Sequence, residues 1–150
     1  MGADLYIRIL YEDQKNKYRP EFDKYVKLRN KAKDEKENKK YQKKVDYYYN
    51  KMYEKGYYRD SYNDSNLLWK LNLDYWIWFK KFLNKEGELT PAKAKEVLQE
   101  ITKKERRNLL SENLKKFSKK EQKYFIESYQ ELQDFLKQAI KLKANIDCSI

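Results

Sequence analysis

The stretch Gly56–Phe82, GYYRDSYNDSNLLWKLNLDYWIWFKKF, holds all three tryptophans of the 150-residue chain beside a dense run of Arg, Asp, Tyr and Asn. How it is read decides the fold. From Leu67 to Leu83 the apolar residues, drawn on a helix, cover every face. Such a helix is either buried at the centre of a bundle or exposes aromatic surface to a partner. The buried central helix is the expectation. The chain is therefore expected to be mainly α: a compact single helical domain over residues 1–150, with five to seven helices around the aromatic one and a short extended segment at the N-terminus.

Working outward, the sequence marks several of those helices. Upstream, Pro20 suits a first helical position, with Phe22, Tyr25, Val26, Arg29 and Ala32 on one stripe. Tyr41, Val45, Tyr48 and Met52 recur at heptad spacing, and Gly56 stands where a helix cap belongs. The two form an expected antiparallel hairpin with a charged tip between them. Downstream, Asn84–Gly87 reads as a turn. Thr90-Pro91 reads as an N-cap with proline at the first helical position, and Thr102–Glu105 and Ser118–Glu121 match the capping box. The last helix carries Phe125, Tyr129, Leu132, Leu136 and Ile140 on one stripe. At the start, Leu5, Ile7 and Ile9 alternate with Tyr6 and Arg8 as in a strand, but no partner strand is evident, so an extended segment laid on helices is expected.

Composition narrows the function classes. With only 3 Gly and 2 Pro, turns are few. The chain has no histidine, so acid–base chemistry near neutral pH would need a strongly shifted carboxylate, Lys or Tyr. The single Cys148, in a segment read as a frayed end, rules out a disulfide framework within one chain. No secretory leader and no apolar run near 18 residues is found, which points to a cytoplasmic protein without a membrane partner. No phosphate loop, zinc spacing or nucleophile motif is present, so no metal and no cofactor is expected.

The net charge of +11 comes from 35 basic and 24 acidic residues. Residues 1–60 carry 17 basic and 11 acidic side chains, 61–90 carry 4 and 4, and 91–150 carry 14 and 9, so a neutral aromatic middle is flanked by two basic segments. The densest cluster is Lys103, Lys104, Arg106, Arg107, Lys115, Lys116, Lys119 and Lys120. A second is Lys39, Lys40, Lys43 and Lys44, with Tyr47, Tyr48 and Tyr49 beside it. Either could line the phosphates of RNA or single-stranded DNA with tyrosines for stacking, or be ordinary solvated surface.

The loop before the aromatic segment is the other candidate. Arg59 could hold an anion, Asn63 and Asn66 could read a polar edge, Tyr58 or Tyr62 could stack, and Trp69 and Trp76 could floor the pocket. Asp60 would be its one general base. A lone carboxylate without a nucleophile or second acid defines no reaction, so binding outranks catalysis and no catalytic residue is assigned. Helix capping and Asx turns account for the same residues as a structural loop.

The opening GADLYI and the run YYRDSYNDSNLLW resemble a family of small bacterial and phage-borne proteins with no assigned activity, in which the same start and the same Arg-Asp-Ser-Tyr-Asn run precede Asn-Leu-Leu-Trp. The resemblance covers about the first half of the chain. It implies that Arg59, Asp60, Ser61, Tyr62, Asn63, Asn66 and Trp69 belong together. The chain departs from it at Asn72–Trp76, where the family has Gly-Leu-Ser-Trp-Trp. With the small size, it implies a non-enzymatic interaction protein that docks on a protein partner, as an inhibitor of a host nucleic-acid machine such as a defence system would. Direct binding of nucleic acid (RNA or single-stranded DNA) and capture of a small anionic ligand at Arg59–Trp69 are the alternatives.

Overall fold

The computed structural model describes residues 2–61 and 66–150. It is mostly helical with a small four-stranded sheet. In chain order the elements are β1 (Gly2–Tyr6), α1 (Arg8–Asn30), α2 (Glu35–Met52), β2 (Tyr57–Ser61), α3 (Leu67–Lys70), a 3-10 turn (Phe79–Phe82), β3 (Glu88–Leu89), α4 (Pro91–Ile101), α5 (Lys104–Leu114), α6 (Lys119–Leu142) and β4 (Ile146–Ser149). The chain divides into two units, residues 8–57 and residues 1–7 with 58–150. No linker composition marks the division.

Residues 8–57 form the helical hairpin. Its helices are zipped by aromatic rings rather than aliphatic knobs. Tyr25 stacks on Tyr48 with centroids 5.6 Å apart, Phe22 meets Tyr49 at 6.1 Å, and Tyr11 meets Tyr53 at 5.8 Å. Rings keep a polar tip in water while burying their faces, so a two-helix layer can close without a dry core. Accordingly no residue of α1 is fully buried, and in α2 only Val45 and Met52 are. Burial pushes the Tyr53 phenol up, with Tyr11 beside it adding to the effect. At the tip, Asp34 caps α2 by accepting from the Glu37 amide at 2.8 Å, and the Glu37 carboxylate accepts from the Lys33 amide in return. The charged tip is a turn at residues 31–34, and α1 ends before it. Pro20 does not start a helix: α1 runs through it, and the proline sits on the exposed face, where the backbone hydrogen bond that it removes can be replaced by water. Helix α2 ends at Met52, so Gly56, at φ 69°, serves the turn into β2 rather than capping the helix.

In the second unit the sheet order is β2-β1-β4-β3. β1 and β4 are antiparallel, with Leu5 opposite Cys148, and β3 and β4 are antiparallel, with Leu89 opposite Ile146. The N-terminal segment is therefore an inner strand, and the C-terminal one is not frayed. Its partners are too short and too distant in sequence to be marked by alternation. Ala3, Leu5 and Ile7 are buried as the alternation requires, whereas Ile9 already belongs to α1 and is exposed. Burial in this sheet pushes the Cys148 thiol up to about 12. α4 buries Ala94, Val97 and Ile101 and packs on α6, which buries Leu132, Leu136 and Ala139.

The central segment is not one helix. α3 stops after Lys70 in a Schellman turn: Asn72 adopts φ 56°, its amide donates to the Trp69 carbonyl, and the Leu73 amide donates back to the Leu68 carbonyl. Asp74 then accepts from the Ile77 and Trp78 amides and starts a tight turn that leads into the 3-10 residues. Folding back this way buries Leu67, Leu68, Leu71, Leu73, Tyr75 and Phe79 and leaves Trp69, Trp76 and Ile77 outside. Caps downstream are as read at Thr90 and Ser118. At Thr102 the hydroxyl instead donates to the Leu98 carbonyl and finishes α4. α5 begins without a side-chain cap.

Candidate functional site

Each of the three candidate clusters has a different fate. The loop cluster is largely scaffold. Asp60, at the end of β2, is buried, and both its oxygens are occupied: Oδ1 accepts from the Ser61 and Leu67 amides, and Oδ2 accepts from Leu67 and from the Tyr75 hydroxyl at 2.7 Å. Burial pushes its carboxyl up, against the pull of the hydrogen bonds from Leu67, Tyr75 and Ser61. Asn66 caps α3 by accepting from the Trp69 amide at 2.8 Å. Tyr58 is buried, and its hydroxyl meets that of Ser128. Arg59 is exposed and lies 3.7 Å from Asp4 on β1. Trp69 and Trp76 are 53% and 58% exposed, so they do not floor a pocket. Tyr62 and Asn63 lie outside the described residues. Both oxygens of Asp60 and the Oδ1 of Asn66 are thus taken up by the chain itself, because the loop uses them to begin a helix.

The strands that carry GADLYI and RDS are neighbours in the sheet. Gly2 lies so close to β2 that a Cβ there would stand 2.5 Å from the Asp60 carbonyl oxygen and 2.9 Å from Arg59 Nε. The two stretches named above as a pair therefore need each other for packing, which supplies a physical reason for their company without a ligand.

The larger basic cluster is spent locally in part. Glu100 accepts from Arg106 at 2.9 Å and from Lys103 at 2.5 Å, and these two hold its carboxyl below the usual range. Arg106 also donates to the Leu71 carbonyl. Lys115 pairs with Glu112, and Lys116 lies over the Phe117 ring. Lys104, Arg107, Lys119 and Lys120 remain, scattered over two helices.

The hairpin cluster keeps its charge. Lys36, Lys40, Lys43 and Tyr47 fall within about 60° of arc on α2, opposite buried Val45, and span about 16 Å along the axis. With Lys39 and Lys44 they line an open groove of about 610 Å³. Lys39 pairs with Glu35, and Lys51 with Glu54. Among the described residues, no ion pair reaches Lys36, Lys40, Lys43 or Lys44. At the C-terminal end of the lane the Tyr47 ring is 52% exposed, with Lys51 Nζ 5.7 Å over it and the Tyr48 ring set edge-on at 5.1 Å. Lys36 was missed as a site residue, although its spacing of four from Lys40 and eight from Lys44 is the signal that finds it.

No helix of the described residues is long and apolar enough to cross a membrane, and no group of acidic or sulfur side chains among them could hold a metal ion. No family model, curated protein or solved structure matches the chain.

Proposed function

We propose that the protein binds nucleic acid through its phosphate backbone, using the lysine lane of α2. The observation that carries this reading is the set of four lysines along one face of α2 that no ion pair reaches among the described residues, with Asp34 and Glu37 beside them only at the N-terminal end of the row; in the other basic cluster Lys103, Arg106 and Lys115 are ion-paired and the rest are spread over two helices. Lysine is a point charge suited to phosphate, and neutralising phosphates releases counterions. Four contacts to a single strand predict a salt slope of about −3, which is about a 50-fold loss of affinity between about 50 and about 200 mM salt.

The test is fluorescence anisotropy of labelled oligonucleotides at those two salt concentrations. Replacing Lys36, Lys40, Lys43 and Lys44 by Gln should abolish the slope, while replacing Lys103, Lys104, Arg106 and Arg107 should leave most of it. Binding that survives the first replacement would sink the proposal.

A second reading, an interaction protein that inhibits a host nucleic-acid machine by docking on it, is favoured by one observation. Trp69, Trp76 and Ile77 are each more than half exposed within nine residues of one another in sequence, and aromatic residues of this kind anchor protein interfaces.

A further inference from the structure

We infer that the ligand of the α2 lane is a single strand, held without regard to sequence, with one unpaired base stacked on Tyr47. The inference rests on the nucleic-acid reading above and names the form of its substrate. Three features of the lane carry it.

The first is the position of Tyr47. Its ring lies in the same groove as the lysines, half exposed, at the end of the line that they make. Inside a duplex each base is covered on both faces by its neighbours, so an aromatic ring in the path of the backbone gains nothing from it. A single strand has bases free to turn onto the ring, and such stacking tolerates any base because every base has a π-face. Tyr48, perpendicular to it with centroids 5.1 Å apart, and Lys51, 5.7 Å over the ring, hold it in place. A ring already oriented loses little freedom when a base covers it.

The second is the spacing. Lys36, Lys40 and Lys44 follow one another at about 6 Å along the axis, and Lys43 stands beside them. That is one straight row of charges, suited to successive phosphates of one strand. The other lysine row of the hairpin, on α1 around Lys24, Lys27 and Lys31, is broken by Asp23 in the same groove, and Lys24 is within 4.0 Å of Glu21. It offers a second backbone a poorer lane.

The third is what the lane lacks. An α-helix can enter the major groove of a duplex, where Arg or Lys reads guanine and Asn or Gln reads adenine. The α2 groove from Lys36 to Tyr47 is lined by Lys and Tyr, and carboxylates, Asp34 and Glu37, come beside it only at its N-terminal end. Gln42, the nearest amide on the helix, is held by Arg29 at 2.9 Å and donates to Asp46 at 2.7 Å. The lane therefore has no free Asn or Gln to read adenine and no rigid guanidinium fork, and its lysines act as point charges that suit phosphate at every position.

The experiment uses the full chain with labelled oligo(U), oligo(dT) and a mixed-sequence duplex of about 12 nucleotides each. Oligo(U) and oligo(dT) should bind alike and at least about tenfold tighter than the duplex. Tyr47→Leu should weaken single-strand binding about 5- to 150-fold with the salt slope unchanged, and Tyr47→Phe should restore it. Equal or tighter duplex binding that still depends on the four lysines would overturn this inference and leave the phosphate-binding reading standing, as would an unaffected Tyr47→Leu. A strong preference for RNA would overturn recognition by stacking and phosphates alone. No binding of any strand at low salt would remove both. Helical circular dichroism of each variant, expected unchanged because Tyr47 is half exposed, keeps a folding defect from passing as a binding one.

Discussion

The hairpin and the sheet-bearing unit use the same amino acids for opposite purposes. Over residues 8–57 there are 16 basic and 9 acidic side chains, so a third of the chain carries +7 of the +11 net charge. The remaining residues hold nearly all of the buried aliphatic core. Carboxylates in the sheet-bearing unit pair with Lys103, Arg106 and Lys115 in and beside α5, whereas the carboxylates of the hairpin pair with Lys39 and Lys51 and leave Lys36, Lys40, Lys43 and Lys44 without an ion pair among the described residues. Counting basic residues in a sequence ranked α5 above α2; the position of three or four carboxylates reverses the order.

If one unit supplies stability and the other charge, mutations should separate the two properties. The largest effect is expected at Asp60. Asp60→Ala strips two backbone amides and the Tyr75 hydroxyl of their acceptor in a buried place and should cost about 3 kcal/mol in chemical denaturation, with oligonucleotide affinity of the folded protein unchanged. Next comes Gly2→Ala, where the added methyl meets the β2 backbone. A loss of about 1–3 kcal/mol is expected, and an unchanged denaturation midpoint would show that β1 and β2 can part without cost.

A smaller effect has the opposite sign. Lys143 ends α6 at φ 52°, a left-handed conformation that costs any side chain, so Lys143→Gly should raise stability by about 1 kcal/mol. Smallest is the change with pH. Since Asp60 is pushed up in the fold, the folded state holds its proton more tightly than the unfolded chain. Its contribution is therefore full below the ordinary carboxylate range and lost as pH rises through the folded value. The melting temperature of the protein relative to Asp60→Asn should rise as pH falls from about 8 to about 4. A gap that widens instead toward high pH would mean that the hydrogen bonds outweigh burial at this carboxyl.

Much of the fold was legible where local chemistry decides it. Thr90-Pro91, Ser118 and Asn84–Gly87 are short-range signals, and their hydrogen bonds form within four residues. The heptad of Tyr41, Val45 and Tyr48 gave the hairpin for the same reason. Residues 67–83 were misread because an all-round apolar pattern is indifferent to whether the chain continues or turns. What decides is Asn72 in a left-handed conformation and Asp74 folded onto its own backbone, two polar residues among a dozen apolar ones. The sheet was out of reach because its strands are two to five residues long and pair residues far apart in sequence, Leu5 with Cys148 and Leu89 with Ile146. For the candidate site, residue types were legible and availability was not. Asp60 and Asn66 have the side chains of binding groups but spend them on the chain itself, and Lys36 differs from the other lysines only by the face of α2 that it shares.

The segregation of aromatic types has an optical consequence. All three tryptophans lie at positions 69–78, while the hairpin holds nine of the fifteen tyrosines and no tryptophan. Light at the red edge of the near-ultraviolet band excites only the sheet-bearing unit, and tyrosine emission, to the blue of the tryptophan band, is the signal that the hairpin contributes. The native chain therefore carries a separate colour for each of its two units, and no label is needed to see which of them melts first.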